Sequence, residues 1–590
     1  MGETLIERLR QFFDKVVQAQ FPAVGEFSFP IEVTRSTQEH FGHYQFNSAL
    51  KLAKLLQQNP RQIAEKIIET ARSFNDPLIQ QLQVAGAGFI NIWLNPGVLS
   101  QLLIKQLQDP QLLAVAPKKE KVIIDFSSPN VAKEMHVGHL RSTIIGDCLA
   151  RIFEFLGQDV VRLNHIGDFG TSFGMLIAYI KEHGQESLKD IEATPLTQLV
   201  EYYRSAKKLF DEDAAFKKRS QLEVVALQGG DPEAVAIWQG ICMISRRAYQ
   251  EIYDLLDVKL VERGESFYNP WLQKIVDDVE KKGLITLSDG AKCIFLRETA
   301  EGGKFTNREG ETLPLMIQKS DGGYNYDTTD LAAIYHRIFI EKADRIIYVT
   351  DSGQAMHFEM LFAAAEKAGY LNRKEVRVDH VPFGLVLGTD GKKFRTRSGE
   401  TEKLIDLLSA AVNQARVIVD QRHPDWSEQE RQELSESLGI GAIKYADLSS
   451  NRMSDYVFSY EKMLRFEGNT IAFVLYAYVR AKSIQRKVGI ESSQLLEHQA
   501  AISLVHPTEQ ALGLHLLRFS EMISTIVNDL LPNRLTDYLY ELAEKFNLFF
   551  RDCRVEGVPE QDSRLLLTAL AISVFERGFS LLGVKAVERM

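Results

Sequence analysis

Two histidines three residues apart, His136 and His139 in the tetrapeptide HVGH, follow VIIDFSSPN. They open a run in which Leu140, Ile144, Ile145, Leu149, Ile152, Phe153 and Leu156 repeat at helical spacing until Gly157. A strand, a Ser-Ser-Pro-Asn turn and a helix N-terminus place both imidazoles where the helix dipole and free amides favour an anion. Each ring can donate to phosphate, and Gly138 lets a nucleotide stack on bare backbone. A second cationic element, GTDGKKFRTRSGE at 388–400, sets Lys392, Lys393, Arg395 and Arg397 within six residues. Charges that close repel one another, so by itself the segment reads as a solvated loop. Paired with HVGH, it reads instead as a loop that orders around a triphosphate. The chain contains no GxxxxGK[ST] sequence, which argues against a P-loop enzyme.

Two short patterns compete with this reading. GTSFG at 170–174 satisfies the GxSxG rule of a hydrolase elbow, which would make Ser172 a nucleophile. That elbow needs its serine directly at a strand end, whereas NHIGDF separates it from the nearest strand pattern, so a turn followed by a helix is expected. HFGH at 40–43 repeats the His-x-Gly-His spacing but follows a charged segment and has no second phosphate-binding element beside it. No chemistry is expected of it.

The elements that must hold these residues follow from length and patterning. At about 150 residues per domain, 590 residues call for several units. Residues 1–117 carry an amphipathic helical start, a helical run at 48–58 and a strand pattern at 88–94, GFINIWL, and end in a Pro- and Lys-punctuated linker. A small α+β domain is expected there. From 118 to 470, short apolar strands such as VIIDF, VVRLN and RIIYVT alternate with helical segments, the pattern of a parallel α/β sheet; a helical insertion is expected at about 180–310. From 471 to 590 only helical periodicity remains, with prolines in the gaps, and an α-helical bundle is expected.

The net charge of −10 comes almost wholly from the middle section, with 46 basic and 55 acidic residues, while the outer sections are near neutral. Such acidity excludes a protein that coats nucleic acid through bulk charge, though not one with a local basic groove. The four cysteines, Cys148, Cys242, Cys293 and Cys553, show no metal-ligand or disulfide spacing; no structural metal is expected, and they suit a reducing compartment. No uninterrupted run of 18 apolar residues occurs, so no membrane association is expected, and the location expected is the cytoplasm.

SSPNVAKEMHVGHLRST and GKKFRTRSG, in this order, resemble the HIGH and KMSKS signatures of class I aminoacyl-tRNA synthetases, and the chain as a whole resembles the arginyl-tRNA synthetase family. FGHYQFNSALKLAK and VAGAGFINIWL are similar to that family's N-terminal additional domain, LNHIGDFGTSFGML to its core, and MLRFEGNTIAFVLYAYVR onward to its helical anticodon-binding domain. The resemblance implies a multidomain α/β protein: a Rossmann-like catalytic domain with a parallel sheet, an N-terminal α+β domain and a C-terminal α-helical bundle. It implies ATP, with Mg2+, as cosubstrate, L-arginine and tRNA(Arg) as partners, and activation of arginine that depends on tRNA. A monomer is the default expectation. His136, Gly138, His139 and Lys393 are implied to meet ATP, with Arg395 and Arg397 folding over the pyrophosphate. Thr396 stands where the family signature has its second lysine, and Lys133, just upstream of HVGH, is implied to stand in for it.

A guanidinium calls for carboxylates placed for forked hydrogen bonds, because a charged pair excluded from water discriminates better than an apolar pocket. Asp125, at the end of the strand before HVGH, and Asp330, in NYDTTDLAA, are the candidates. The alternative for Asp330 is a helix N-cap. The resemblance adds Asn130, Tyr326 and Gln354 to the arginine contacts. For tRNA, Tyr476, Tyr478, Arg480, Lys482, Arg486 and Lys487 mix aromatic and cationic side chains as unpaired bases require. Phe41, Tyr44, Gln45 and Asn47 are the expected contacts of the N-terminal domain.

Overall fold

The computed structural model describes residues 3–24, 29–116, 118–183, 194–296, 305–306, 310–394 and 402–590. Four antiparallel strands form the N-terminal sheet: β1 (Val33–Arg35), β2 (Tyr44–Phe46), β3 (Ile79–Ala85) and β4 (Phe89–Leu94), in the order β1-β2-β4-β3. Helices Leu5–Gln20 and Pro60–Phe74 pack on this domain's core. In β2 the period-two rule sends Tyr44 and Phe46 into the core and leaves Gln45 between them half-buried.

The middle section is built on five parallel strands. They are β5 (Lys121–Asp125), β6 (Asp159–Asn164) and β7 (Val261–Glu262), followed in chain order by a separate antiparallel trio, β8 (Thr286–Ser288), β9 (Ala291–Phe295) and β10 (Pro314–Gln318). The parallel sheet then resumes with β11 (Arg345–Asp351) and β12 (Arg377–Phe383) and has the order β12-β11-β5-β6-β7. Central β5 is buried from Val122 to Asp125, which explains its unbroken apolar run: helices cover both faces of a parallel sheet. The chain leaves β5 for β6 on one side and returns as β11 on the other. The crevice at their carboxyl ends is therefore the switch point of the sheet, where α/β proteins of this kind bind ligands.

Helix Val137–Phe155 makes the crossover from β5 to β6 and is buried on nearly every side. It lies so close to the strand that a Cβ at Gly146 would stand 2.2 Å from the Phe126 ring, so only glycine permits this approach. The expected helical insertion holds helices Leu196–Glu212, Ala214–Gln228, Pro232–Leu255 and Asn269–Lys281. It also holds strand β7 and, from β8, the beginning of the antiparallel sheet, which runs on to Gln318. The three-residue and shorter strands among these carry too little alternation to announce themselves.

Helices Leu404–Arg422 and Glu428–Ser449 lead into the C-terminal bundle, Ile471–Val488, Pro507–Leu517, Phe519–Asp529, Asn533–Asp552 and Gln561–Leu582. The last of these is long and apolar enough to cross a membrane by length and composition, but 78% of its apolar window is buried inside the protein. The N-terminal domain is fastened to the bundle by buried Glu521. Its carboxylate accepts from the Tyr44 hydroxyl at 2.5 Å and the Ile6 amide at 3.0 Å, and pairs with Arg35 at 3.1 Å.

Candidate active site

The turn after β5 is held in an unusual backbone conformation. Ser127, Ser128 and Ala132 have positive φ values of 72°, 49° and 59°, a region that costs side-chain-bearing residues energy and persists only where neighbours enforce it. The neighbours are identifiable. The Ser127 amide donates to Ser142 Oγ at 2.9 Å and the Ser128 amide to Asn164 Oδ1 at 2.9 Å. From helix Pro232–Leu255, Ser245 accepts from the Ala132 amide at 3.0 Å. The Tyr249 hydroxyl lies 2.7 Å from both the Asn130 and Lys133 carbonyls, and the Tyr253 hydroxyl 2.8 Å from Ser127 Oγ. Ser245, Tyr249 and Tyr253 follow an i, i+4, i+8 spacing visible in the sequence, and none of the three was among the expected site residues.

His136 caps the helix that follows. Its Nδ1 accepts from the Gly138 amide at 3.1 Å, and His139 Nδ1 accepts from the His136 amide at 3.1 Å. This narrows the expectation that free amides at the helix start await an anion, because the cap already engages the Gly138 and His139 amides. Accepting at Nδ1 puts the proton of each neutral ring on Nε2, so the two imidazoles themselves offer the donors. The rings lie 4.1 Å apart. Burial, with Lys393 nearby, lowers the His136 pKa; burial, then His136 and Lys133, holds His139 at about 3. Gly138 has a steric role that the sequence did not disclose: a Cβ there would stand 2.9 Å from His136 Cε1.

Lys393 is exposed at the start of the cationic loop and in bridge pairing with Leu387. Its stem is seated by the pairing of β13 (Val386–Leu387) with β14 (Tyr456–Val457) and by the Phe394 amide, 3.0 Å from the Val386 carbonyl. After the loop the chain returns to the histidines, where Lys403 bridges His136 and the Leu404 amide donates to the Met135 carbonyl at 2.9 Å. Arg395 and Arg397 lie outside the described residues. Lys133 is exposed, with its ammonium 5.4 Å from the centre of the Tyr203 ring. Ser172 falls in the first turn of helix Thr171–His183, well past the end of β6 at Asn164, and so is not at a strand-end elbow.

Across the crevice, Asp330 sits in the body of helix Tyr326–Tyr335, whose N-cap is Asn325; the N-cap alternative for Asp330 is thereby overturned. His357 Nε2 is 2.7 Å from Asp330 Oδ2, and its Nδ1 is 3.3 Å from Asp327. Burial opposes a charge on His357, but the two carboxylates outweigh it and hold the pKa up at about 9. The same contacts overcome burial to keep Asp330 below the usual carboxylate range. Tyr326 is 59% exposed, with its ring edge-on to His357. Gln354 is exposed on the turn after β11 and donates to Asp351 at 2.7 Å. Asn130 is exposed, its side-chain oxygen so close to Gly167 that a Cβ there would approach to 2.2 Å.

Asp125 is placed differently from the expectation. It is buried and already engaged, accepting from Arg337 at 2.7 Å and from Ser128 Oγ at 3.1 Å. A resident guanidinium occupies the carboxylate that was expected to face a substrate guanidinium, and Arg337 was not among the expected residues.

The expected nucleic-acid contacts lie in two further places. In the N-terminal domain Phe41 is 38% exposed, Gln45 donates to Asn91 at 2.9 Å and Asn47 to Thr34 at 3.0 Å. Tyr44 is fully buried against Glu521 and has no face for a base, which removes it from that surface. His43, in HFGH, accepts the Leu94 amide at 3.0 Å, and burial lowers its pKa to about 4. In the bundle, Arg480 lies between the exposed rings of Tyr476 and Phe550, 4.9 and 4.8 Å from their centres. Lys482 pairs with Glu576 and Arg486 with Glu588, both at 3.5 Å, and Lys487 with Glu556 at 2.6 Å. Tyr478 is buried with its hydroxyl on Glu576, so it belongs to the core.

Comparison with known proteins bears on the whole chain. Residues 99–460 match the catalytic domain of class I (R) tRNA synthetases, 474–590 the DALR anticodon binding domain, and 3–94 the arginyl tRNA synthetase N-terminal domain. The chain is 61% identical to the arginine–tRNA ligase of Protochlamydia amoebophila and 50% identical to that of Chlamydia caviae, each over the full length of both chains. The crystal structure of Plasmodium falciparum arginyl-tRNA synthetase superposes with a TM-score of 0.85 at 34% identity, covering 100% of this chain and 99% of that one. A chain with this crevice, these three parts in this order and such relatives belongs to the arginyl-tRNA synthetase family of class I aminoacyl-tRNA synthetases.

Proposed function

We propose that the protein joins L-arginine to the 3′ end of tRNA(Arg) in two steps driven by ATP. The observation that carries this reading is the switch-point crevice, with two neutral imidazole donors on one side and an ionised Asp330 on the other. In the first step the arginine carboxylate oxygen attacks the α-phosphorus of ATP, the bond to the β-phosphate oxygen breaks, and pyrophosphate leaves with its charge. Little covalent help is needed; alignment and cationic stabilisation supply the rate. His136 and His139 donate from Nε2 to the phosphates, the nucleotide lies along Gly138, and Lys393 with Arg395 and Arg397 takes the pyrophosphate. Lys133 adds the charge missing at Thr396. Mg2+ arrives with ATP as part of the substrate.

Asp330 receives the substrate guanidinium, with Tyr326 and Gln354 beside it, and Asn130 takes the α-amino end. Asp125 contributes by fixing Arg337. In the second step a terminal ribose hydroxyl of the tRNA attacks the arginyl carbonyl and AMP departs. Tyr476, Arg480, Lys482 and Arg486 contact the anticodon loop, and Phe41, Gln45 and Asn47 the corner of the tRNA. The protein acts as a monomer in the cytoplasm, with no membrane involved.

The test is charging of total tRNA with each labelled amino acid in turn. Arginine alone should become acid-precipitable with the tRNA, and only when ATP is present. Charging with a different amino acid would overturn the reading.

A further inference from the structure

A cavity of about 760 Å³, within the size range of small-molecule sites, opens between four elements outside the crevice. Leu408 and Val412 of helix Leu404–Arg422, Ile440 of helix Glu428–Ser449, and Phe579 and Val584 around the end of the final helix form its apolar walls. The end of the insertion helix Pro232–Leu255 closes the fourth side. Arg151 of the histidine helix also reaches it; at about 1.5 Å per residue that position lies roughly 22 Å along the helix from His136. The reaction proposed above leaves this cavity unused. Lys444 lines it as well and is only 1% exposed. Its ammonium donates to the Leu256 and Gly583 carbonyls at 2.5 and 2.6 Å, and its third N–H has no acceptor among the described residues. Both partners are neutral. The carboxylates nearby are engaged elsewhere, Asp147 by Arg151 and Arg162, and Asp257 by Arg151 at 3.1 Å. A buried charge ordinarily has an opposite charge beside it, and this one lacks it. Burial accordingly lowers the Lys444 pKa to about 8, against the pull of Asp147.

We propose that this cavity binds a small amphipathic carboxylate, with its aliphatic chain against the apolar walls and a carboxylate oxygen accepting the third N–H of Lys444. One buried donor suits a carboxylate, whereas a phosphate calls for several. The walls suit a chain, because four of the five apolar side chains named above are aliphatic. Charge at the mouth agrees with an anion. Lys585 is exposed there and has no carboxylate partner among the described residues. The mouth carboxylates Asp254, Glu436 and Glu576 are held by Gln250, Gln432 and Tyr478 at 2.7, 2.7 and 2.9 Å. A ligand so placed touches the insertion, the two helices that follow the cationic loop and the end of the bundle at once. Because that junction exists only in the folded chain, occupancy stabilises the fold by mass action. The site is independent of how arginine, ATP and tRNA are bound.

Calorimetric titration and thermal melting of the full chain at pH 7, with octanoate, octylammonium and 1-octanol as matched probes, test the proposal. Octanoate should bind at one site per chain and raise the melting temperature until the site saturates. The neutral alcohol should bind about tenfold or more weakly, since it lacks the charge that Lys444 is short of, and the cation should not bind. Val412→Trp, at a half-buried position on the cavity wall, fills the space and should abolish octanoate binding while ATP–pyrophosphate exchange stays at the wild-type rate. Lys444→Met should bring octanoate down to the affinity of the alcohol; if that variant does not fold, the alcohol and Val412→Trp still decide. Absence of saturable octanoate binding, equal binding of octylammonium or of 1-octanol, or undiminished octanoate binding in Val412→Trp overturns the proposal.

Discussion

Asp330→Asn keeps the shape of the side chain and removes its charge. A hydrogen bond to a charged group contributes about 1.5–3 kcal/mol. At about 1.4 kcal/mol per tenfold, the KM for arginine should rise by roughly 10- to 100-fold with the KM for ATP little changed. A wild-type arginine KM would take Asp330 out of the pocket. Lys133→Ala should lower the rate of adenylate formation more than it weakens tRNA binding, because its ammonium acts on His139 at the start of the histidine helix. Unchanged pyrophosphate exchange in that variant would refute the substitution of Lys133 for the missing lysine. The places of single residues in the fold were legible where spacing marks them, as at His136 and His139 at the start of a helix. They were illegible where the partner lies far along the chain. Nothing near Asp125 announces that Arg337, 212 residues later, fills its carboxylate. Tyr44 looked like a stacking residue because aromatic rings serve cores and bases equally well; only the period-two register of β2 and the distant Glu521 decide between them.

Among the elements, helix Val137–Phe155 joins the two halves of the proposed nucleotide site. Its N-cap and first turn carry the two histidines. One turn on, fully buried Arg141 pairs with Asp447 at 3.2 Å and donates to the Gly384 and Ser454 carbonyls at 2.8 and 3.2 Å. Those carbonyls flank β13 and β14, from which the cationic loop springs, so one side chain sets the distance between loop and histidines. Removing one partner of a buried pair costs about 3–5 kcal/mol because the other charge is left unpaired. Arg141→Met should therefore lower the apparent melting temperature and the rate of ATP–pyrophosphate exchange together, and Arg141→Met with Asp447→Asn should regain part of the stability but not the rate. A stable, fully active single variant would show that the loop is positioned by other means. The parallel sheet was legible from its apolar runs, whereas the order of its strands, set by long crossovers, was not. The straps from Ser245, Tyr249 and Tyr253 were not legible, because the charged helical stretch bearing them reads by composition as an insertion in the sheet domain.

Over the whole molecule, the acidic balance of the middle section accords with a cationic substrate, and the near-neutral flanking domains with RNA recognition through local contacts such as Arg480 between two rings. The parts are joined through buried polar links rather than flexible tethers. Glu521 ties the N-terminal domain to the bundle. Lys444, 1% exposed, donates to the carbonyls of Leu256 and Gly583 at 2.5 and 2.6 Å, and so links the catalytic insertion to the end of the bundle. Arg151, on the histidine helix, also reaches the bundle at the Ser580 carbonyl, 3.3 Å away. The outer domains are thus packed directly onto the catalytic section. ATP–pyrophosphate exchange with each amino acid, with and without total tRNA, tests the account most directly. Exchange with arginine alone, and only when tRNA is present, is the predicted result; exchange with any other amino acid, or equally fast exchange in the absence of tRNA, would contradict it.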